Sequence, residues 1–122
     1  MLDCGEMTIM PSLSVFFPTF NEEANIKKTV LAAKKVLTKI ADRWEILVIN
    51  DGSSDRTQEM IRTLIKSDPR IKLINHPINR GYGASLKTGF YAAQYPWLAF
   101  TDSDGQFDFS EITRFLEKQK ET

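Results

Sequence analysis

The sequence holds a single cysteine, Cys4, so no intrachain disulfide can form, and this fits a reducing compartment. No stretch approaches the roughly 20 consecutive apolar residues that a bilayer span requires. The first ten residues lack a basic segment followed by an apolar core, so they do not read as a signal peptide. Net charge is absent as well: 16 basic residues cancel 16 acidic ones, and no global field draws the chain to nucleic acid or to an anionic membrane. There is only one histidine, His76, so no pair of imidazoles is available to a metal. It precedes Pro77 and reads as a loop residue. Internal repeats and low-complexity linkers are missing too. The expectation is a cytoplasmic chain with no nucleic-acid partner.

What is present is the composition of an ordinary globular chain, 42% hydrophobic and 26% charged over 122 residues. That length supports a real core. Met1 to Pro11 is expected to be a flexible leader. Ser12 to Phe17 is β-branched and aromatic-rich and reads as a strand stopped by Pro18. Asn21 is placed to cap the next helix, with Glu22 and Glu23 in its first turn. Ile26, Val30, Ala33, Leu37 and Ile40 recur at helical spacing and predict its buried face. Trp44 to Ile49 is a second strand that empties into Asn50-Asp51-Gly52-Ser53. Asp55 and Gln58 resemble a capping box for a helix that buries Met60, Ile61, Leu64 and Ile65. Ile71 to Ile74 is a short third strand. A glycine-bearing loop from Asn79 to Gly83 leads into a third helix through Ala84, Leu86, Phe90 and Ala93. After Pro96 a fourth strand follows, then a helix capped by Ser110 and carrying Ile112, Phe115 and Leu116.

This alternation predicts an α/β fold: a parallel sheet covered by helices on both faces, with right-handed crossovers. Ligands bind such sheets outside the carboxyl ends of the strands, where strand order reverses. The first strand releases Asn21 and Glu22 there, the second Asp51, and the fourth Asp102 and Asp104. Two carboxylates one residue apart beside Gly105, after the apolar run from Trp97 to Phe100, can hold a hard divalent cation that keeps phosphate oxygens as further ligands. Asp51 is well placed to accept hydrogen bonds from a nucleobase or ribose. The pattern therefore points to a metal-and-diphosphate site with a nucleotide beside it.

Two familiar phosphate loops are excluded. Gly81, Gly83 and Gly89 do not space as a dinucleotide fingerprint, because position 86 is leucine. Lys87-Thr88 lacks the preceding glycine of a Walker loop. Arg80 and Lys87 remain candidates for phosphate contact, with a solvated surface position as the alternative. A strand ending in Asp102-Ser103-Asp104-Gly105 also resembles the opening motif of haloacid-dehalogenase phosphatases. That motif continues with threonine or valine where this chain has Gln106, and it normally opens its domain.

Four segments in order carry a stronger resemblance: Phe17 to Glu22, Val48 to Asp55, Asn79 to Ala84, and Thr101 to Gln106. Together they resemble family 2 glycosyltransferases, in the branch of dolichyl-phosphate mannose synthase and bacterial polyprenyl-phosphate sugar transferases. The resemblance covers about residues 12–118. It implies a GT-A fold, a Rossmann-like three-layer αβα arrangement on a mostly parallel sheet, with residues 12–122 as its nucleotide-sugar-binding half. It implies that Asp51 contacts the donor base and that Pro18, Phe20, Asn21 and Glu22 line the same pocket. Asn50, Ser53, Arg80, Asp102 and Ser103 are assigned to that pocket from the same motifs. Mg²⁺ or Mn²⁺ is expected on Asp102 and Asp104, with Gln106 joining the metal shell. The implied partners are a nucleoside-diphosphate sugar and a polyprenyl phosphate or glycan acceptor. The transfer is expected to be inverting, at the cytoplasmic face of a membrane. Family members continue well past this length with an acceptor-binding half and often membrane helices, so the sequence is expected to be a truncated part, without an assigned catalytic base. A non-catalytic nucleotide-binding module is the alternative of a different class.

Overall fold

The computed structural model describes residues 12–101. The chain there runs β1 (Ser12–Thr19), α1 (Ile26–Ile40), β2 (Arg43–Asp51), α2 (Thr57–Ser67), β3 (Ile71–His76), α3 (Tyr82–Ala92) and β4 (Trp97–Phe100). The leader expected at residues 1–11 and the helix expected after Ser110 lie outside the described residues.

All strand pairs are parallel, and the sheet order is β3-β2-β1-β4. From β1 the chain builds outward through β2 to β3, then crosses back to lay β4 on the other side of β1. Strand order therefore reverses between β1 and β4. This is the switch point at which the sequence placed its crevice.

The period-two alternation of the strands divides the core between two faces. Leu13, Val15, Phe17, Ile46 and Val48 join the cluster made with α1 and α2. Phe16, Leu47 and Ile49 point the other way, where Leu86 and Ala93 pack against them. With both faces covered, β1 and β2 are buried almost end to end, and near-continuous apolar runs are what such strands require. Each Leu, Ile, Val or Phe taken fully out of water there contributes about 1.5–3 kcal/mol. On α1 the expected face is the buried one: Ile26, Val30, Ala33 and Leu37, with Ile40 partly covered. On α2, Ile61 and Leu64 are buried, while Met60 and Ile65 pack against the same cluster.

Four local expectations are corrected. Pro18 does not stop β1, which continues to Thr19 and keeps register with β2 through Pro18↔Ile49. Among the described residues the last register pair between β1 and β4 is Phe16↔Phe100, two residues before Pro18. Asn21 does not cap α1; Asn25 is the N-cap, and no acidic residue lies in the first turn. The Asp55–Gln58 capping box does not form. Asp55 Oδ1 instead accepts the backbone N–H of Thr57, a turn of one residue fewer that opens α2.

The fourth correction concerns α3. Its buried residues are Ser85 and Gly89, whereas Phe90 is 62% exposed. A Cβ at Gly89 would lie 2.2 Å from Cδ2 of Phe16, so only glycine lets this helix settle onto the Phe16 ring. Leu86 and Ala93 keep their expected packing, and the closest approach of α3 to β1 is made at Gly89.

At the amino end of the same face, Glu45 fixes the connection into β4. It is buried, and accepts from Ser14 Oγ (2.6 Å), Gln94 N–H (2.8 Å) and Lys72 Nζ (2.8 Å). Burial pushes its carboxyl up, but the Gln94 amide, the Lys72 ammonium and the Ser14 hydroxyl outweigh that and hold it below the usual range. Ser14 Oγ in turn accepts from Tyr95 N–H, so the turn before β4 is tied to β1 and β2.

Candidate nucleotide site

The carboxyl ends of β1 and β2 and the start of α3 enclose a cavity of about 220 Å³, lined by Pro18, Thr19, Phe20, Asp51, Asn79, Gly81, Tyr82 and Ser85. Phe20 is 48% exposed and Tyr82 is 53% exposed, so two aromatic rings stand at its rim. Flat aromatic walls beside a polar floor suit a planar base, and stacking on such rings contributes about 1–3 kcal/mol per base.

Asp51 is the polar floor. Its Oδ1 accepts from Arg80 N–H (2.8 Å) and from His76 Nδ1 (2.8 Å), and its Oδ2 accepts from Gly81 N–H (2.9 Å). The side chain is only 6% exposed. Burial alone pushes its carboxyl up. The Arg80 amide, the His76 ring and the Gly81 amide together pull it the other way, and the net position is below the ordinary carboxylate range. Asp51 is therefore ionised and aimed at neutral pH. The close passage of the 78–81 segment over β2 needs Gly52, which has φ +71 and would carry a Cβ 2.3 Å from Asn79 N. Asn79 Nδ2 donates to the Asp51 carbonyl (3.2 Å) and ties the two segments together.

A second layer holds the loop after β1 to the loop after β2. Asn21 adopts φ +51, and its Oδ1 accepts from Ser54 N–H (2.8 Å) and Asp55 N–H (3.3 Å). In return, Asn21 N–H donates to Ser53 Oγ and Glu22 N–H to Thr57 Oγ1, both at 2.9 Å. Glu23 N–H donates to Asp55 Oδ2 (3.2 Å), and Glu23 Oε1 accepts from Arg56 N–H (3.0 Å). The loop that carries Phe20 is thus braced by the loop that follows Asp51.

The sequence-predicted residues divide accordingly. Pro18, Phe20 and Asp51 meet at the cavity. Asn21, Glu22 and Ser53 belong to the brace between the loops. Asn50 donates through Nδ2 to Asn75 Oδ1 (2.9 Å), its partner across β2 and β3. Arg80 reaches Asp51 through its backbone, and it also lines a neighbouring cavity of about 490 Å³ with Lys87, Thr88 and Tyr91. Asp102, Ser103, Asp104 and Gln106 lie outside the described residues. Among the described residues no group of three or more His, Cys, Asp or Glu side chains could hold a metal ion.

Sequence reasoning missed Asn79, Gly81, Tyr82 and Ser85 at the cavity and placed His76 in a loop. His76 is the last residue of β3 and the register partner of Asp51. The signal was available only once the strand pairing was known.

A parallel sheet whose cavity opens over the carboxyl ends of its strands is the architecture of nucleotide-binding α/β domains. The glycosyl transferase family 2 model matches residues 14–122, and the chain belongs to that family. An uncharacterized glycosyltransferase of Bacillus subtilis, YkcC, is 34% identical over 108 residues, covering 88% of this chain and 33% of that protein. The dolichyl-phosphate beta-glucosyltransferase of Saccharomyces cerevisiae is 30% identical over 111 residues, covering 86% of this chain and 33% of that protein. Among solved structures, the mannosyltransferase PcManGT of Pyrobaculum calidifontis, in complex with GDP-Man and Mn²⁺, superposes with a TM-score of 0.71 at 26% identity, covering 81% of this chain and 29% of that one. The fold is that of GT-A glycosyltransferases. The chain spans about a third of the length of the curated relatives it matches.

Proposed function

We propose that residues 12–122 form the donor-binding part of a glycosyltransferase that takes a sugar from a nucleoside diphosphate and passes it, with inversion, to a polyprenyl phosphate. The observation that carries this reading is the ionised Asp51, fixed by three donors in the wall of a cavity between exposed aromatic rings. An anionic acceptor held in place reads an N–H on a base edge, and Phe20 and Tyr82 flank the ring. Family membership supplies the reaction class. The dolichyl-phosphate relative supports the lipid acceptor.

Asp102 and Asp104 are proposed to hold Mg²⁺ or Mn²⁺, with Gln106 completing the set, and Ser103 lies between them in sequence. Alternating carboxylates and a carboxamide are the oxygen donors such ions take. When bound, the cation supplies positive charge against the negative charge that builds on the departing diphosphate. The Mn²⁺ in the mannosyltransferase complex supports a divalent ion here. Among the described residues no helix is long and apolar enough to cross a membrane. Work at the cytoplasmic face of a membrane is proposed from the lipid acceptor alone.

Incubation of the protein with UDP- and GDP-sugars, polyprenyl phosphate and Mn²⁺ tests this reading. Labelled sugar should enter the lipid extract and fall to background with EDTA. Label entering a water-soluble glycan instead would favour the glycan acceptor. Nucleotide binding with neither transfer nor donor hydrolysis would favour the non-catalytic module. Membership of the glycosyltransferase family sets the phosphatase alternative aside.

A further inference from the structure

The three helices differ in what they show to water. A surface helix normally turns charges outward, and α1 and α2 do so, with Lys27, Lys28 and Lys35 exposed on one and Glu59, Arg62 and Lys66 on the other. On α3 the only charged residue is Lys87, and it stands among exposed rings. Phe90 is 62% exposed and Tyr91 78% exposed, and the two meet edge-on at 6.4 Å. They follow Lys87 by three and four positions, so all three share one side of the helix. Ile78, 72% exposed, stands in the segment that leads into α3. An exposed apolar patch of this kind marks a contact surface.

The charge around the patch has one sign. No aspartate or glutamate occurs between Asp68 and Asp102, although the chain as a whole is neutral. Within that stretch Arg70 pairs with Asp68 and Lys72 with Glu45, whereas Arg80 and Lys87 are in no ion pair among the described residues. Both line the cavity of about 490 Å³ beside Ile74 and Tyr91. Two uncompensated cations next to apolar side chains suit phosphate esters at the boundary of a hydrocarbon phase. Lys87 also separates the occupants such a face could take. Lysine is depleted from the cores of contacts between proteins. At a bilayer surface its stem lies along apolar groups while the ammonium reaches the headgroups, and tyrosine is enriched at the same level.

We propose that the outer side of α3 is a docking face for an anionic bilayer, with Phe90 and Tyr91 entering the headgroup layer and Lys87 and Arg80 meeting lipid phosphates. The inference goes beyond the donor site and does not depend on which acceptor the sugar reaches. It has a consequence for that site all the same. The first turn of α3 lines the nucleotide cavity, so docking through this helix holds the cavity within one helix length, roughly 16 Å, of the lipid surface.

Co-sedimentation tests it, with vesicles of phosphatidylcholine alone and of phosphatidylcholine and phosphatidylglycerol in equal parts. Each cation near an anionic leaflet strengthens binding about fivefold, so the wild type should prefer the mixed vesicles at least about tenfold and lose that preference in high salt. K87E should weaken binding to them roughly 10- to 30-fold. K35E makes the same change in net charge on α1, across the sheet, and should alter binding less than about twofold. F90S/Y91S should weaken it at least about tenfold. Absence of vesicle binding, equal binding to both vesicles, or a K35E as damaging as K87E would overturn the inference. A dimer that F90S/Y91S converts to monomer, and that ignores vesicles, would assign the face to a second copy and overturn it too. Nucleotide titration of the same samples keeps the two readings apart: nucleotide binding without vesicle binding removes the docking face and leaves the donor site standing. The wild type, K87E and K35E decide the matter even if the double variant fails to fold.

Discussion

D51N should abolish most nucleotide binding while also destabilising the fold. Asparagine retains one oxygen, which can serve His76 and Arg80 N–H, but places an amino group where Oδ2 now accepts from Gly81 N–H. Two donors then face each other in a site with 6% side-chain exposure. An unsatisfied buried donor costs about 1–3 kcal/mol, and that loss should appear directly in urea denaturation. The ligand loses a charged acceptor as well, worth about 1.5–3 kcal/mol, so affinity should fall by roughly 10- to 150-fold. The same carboxylate gives a pH signature. Its folded-state position lies below the ordinary value of 3.8, so the stability it contributes is complete above that value and is lost as pH falls from there through the lower folded value. D51N should lose this part of the acid sensitivity. A variant as stable as the wild type that binds nucleotide equally well would remove Asp51 from the site.

G52A should be nearly as damaging, without touching the ligand at all. A Cβ at this position would sit 2.3 Å from Asn79 N and 2.6 Å from the Ile78 carbonyl carbon, both backbone atoms that cannot rotate aside. Its φ of +71 adds about 1–2 kcal/mol of left-handed strain, and the overpacking about 1–3 kcal/mol more. The segment pushed away carries the Arg80 and Gly81 amides, so Asp51 loses its aim and nucleotide affinity falls with stability. Gly83 is the control, because an added Cβ there meets nothing within 4 Å. Thermal unfolding and nucleotide titration of G52A and G83A should separate cleanly. Equal behaviour of the two would contradict the close packing of the 78–81 segment over β2.

The layered fold was legible because it is written in short-range periodicity. Alternating apolar stretches and 3.6-residue spacing place α1 and α2 correctly, and Asp51 stands out because it follows the apolar run Ile46 to Ile49 by two residues. The features that were not legible depend on partners far along the chain. Asn21 looks like a helix cap, but its acceptor is taken by amides 33 and 34 residues away. His76 looks like a loop residue until parallel register sets it opposite Asp51. Phe90 follows the apolar rhythm of a buried face and is exposed, whereas Gly89 beside it is the residue that meets the Phe16 ring. Pro18 reads as a stop, yet β1 runs through it in parallel register with β2.

These features converge on one claim, that the cavity floored by Asp51 is the base-binding end of a metal-assisted donor site. Calorimetry with a UDP-sugar and a GDP-sugar, in Mn²⁺ and again in EDTA, tests it most directly. The expected result is saturable binding of one nucleotide sugar per chain in Mn²⁺, weakened at least about tenfold by EDTA. Absence of saturable binding at millimolar nucleotide, in a sample that still unfolds cooperatively, would contradict it.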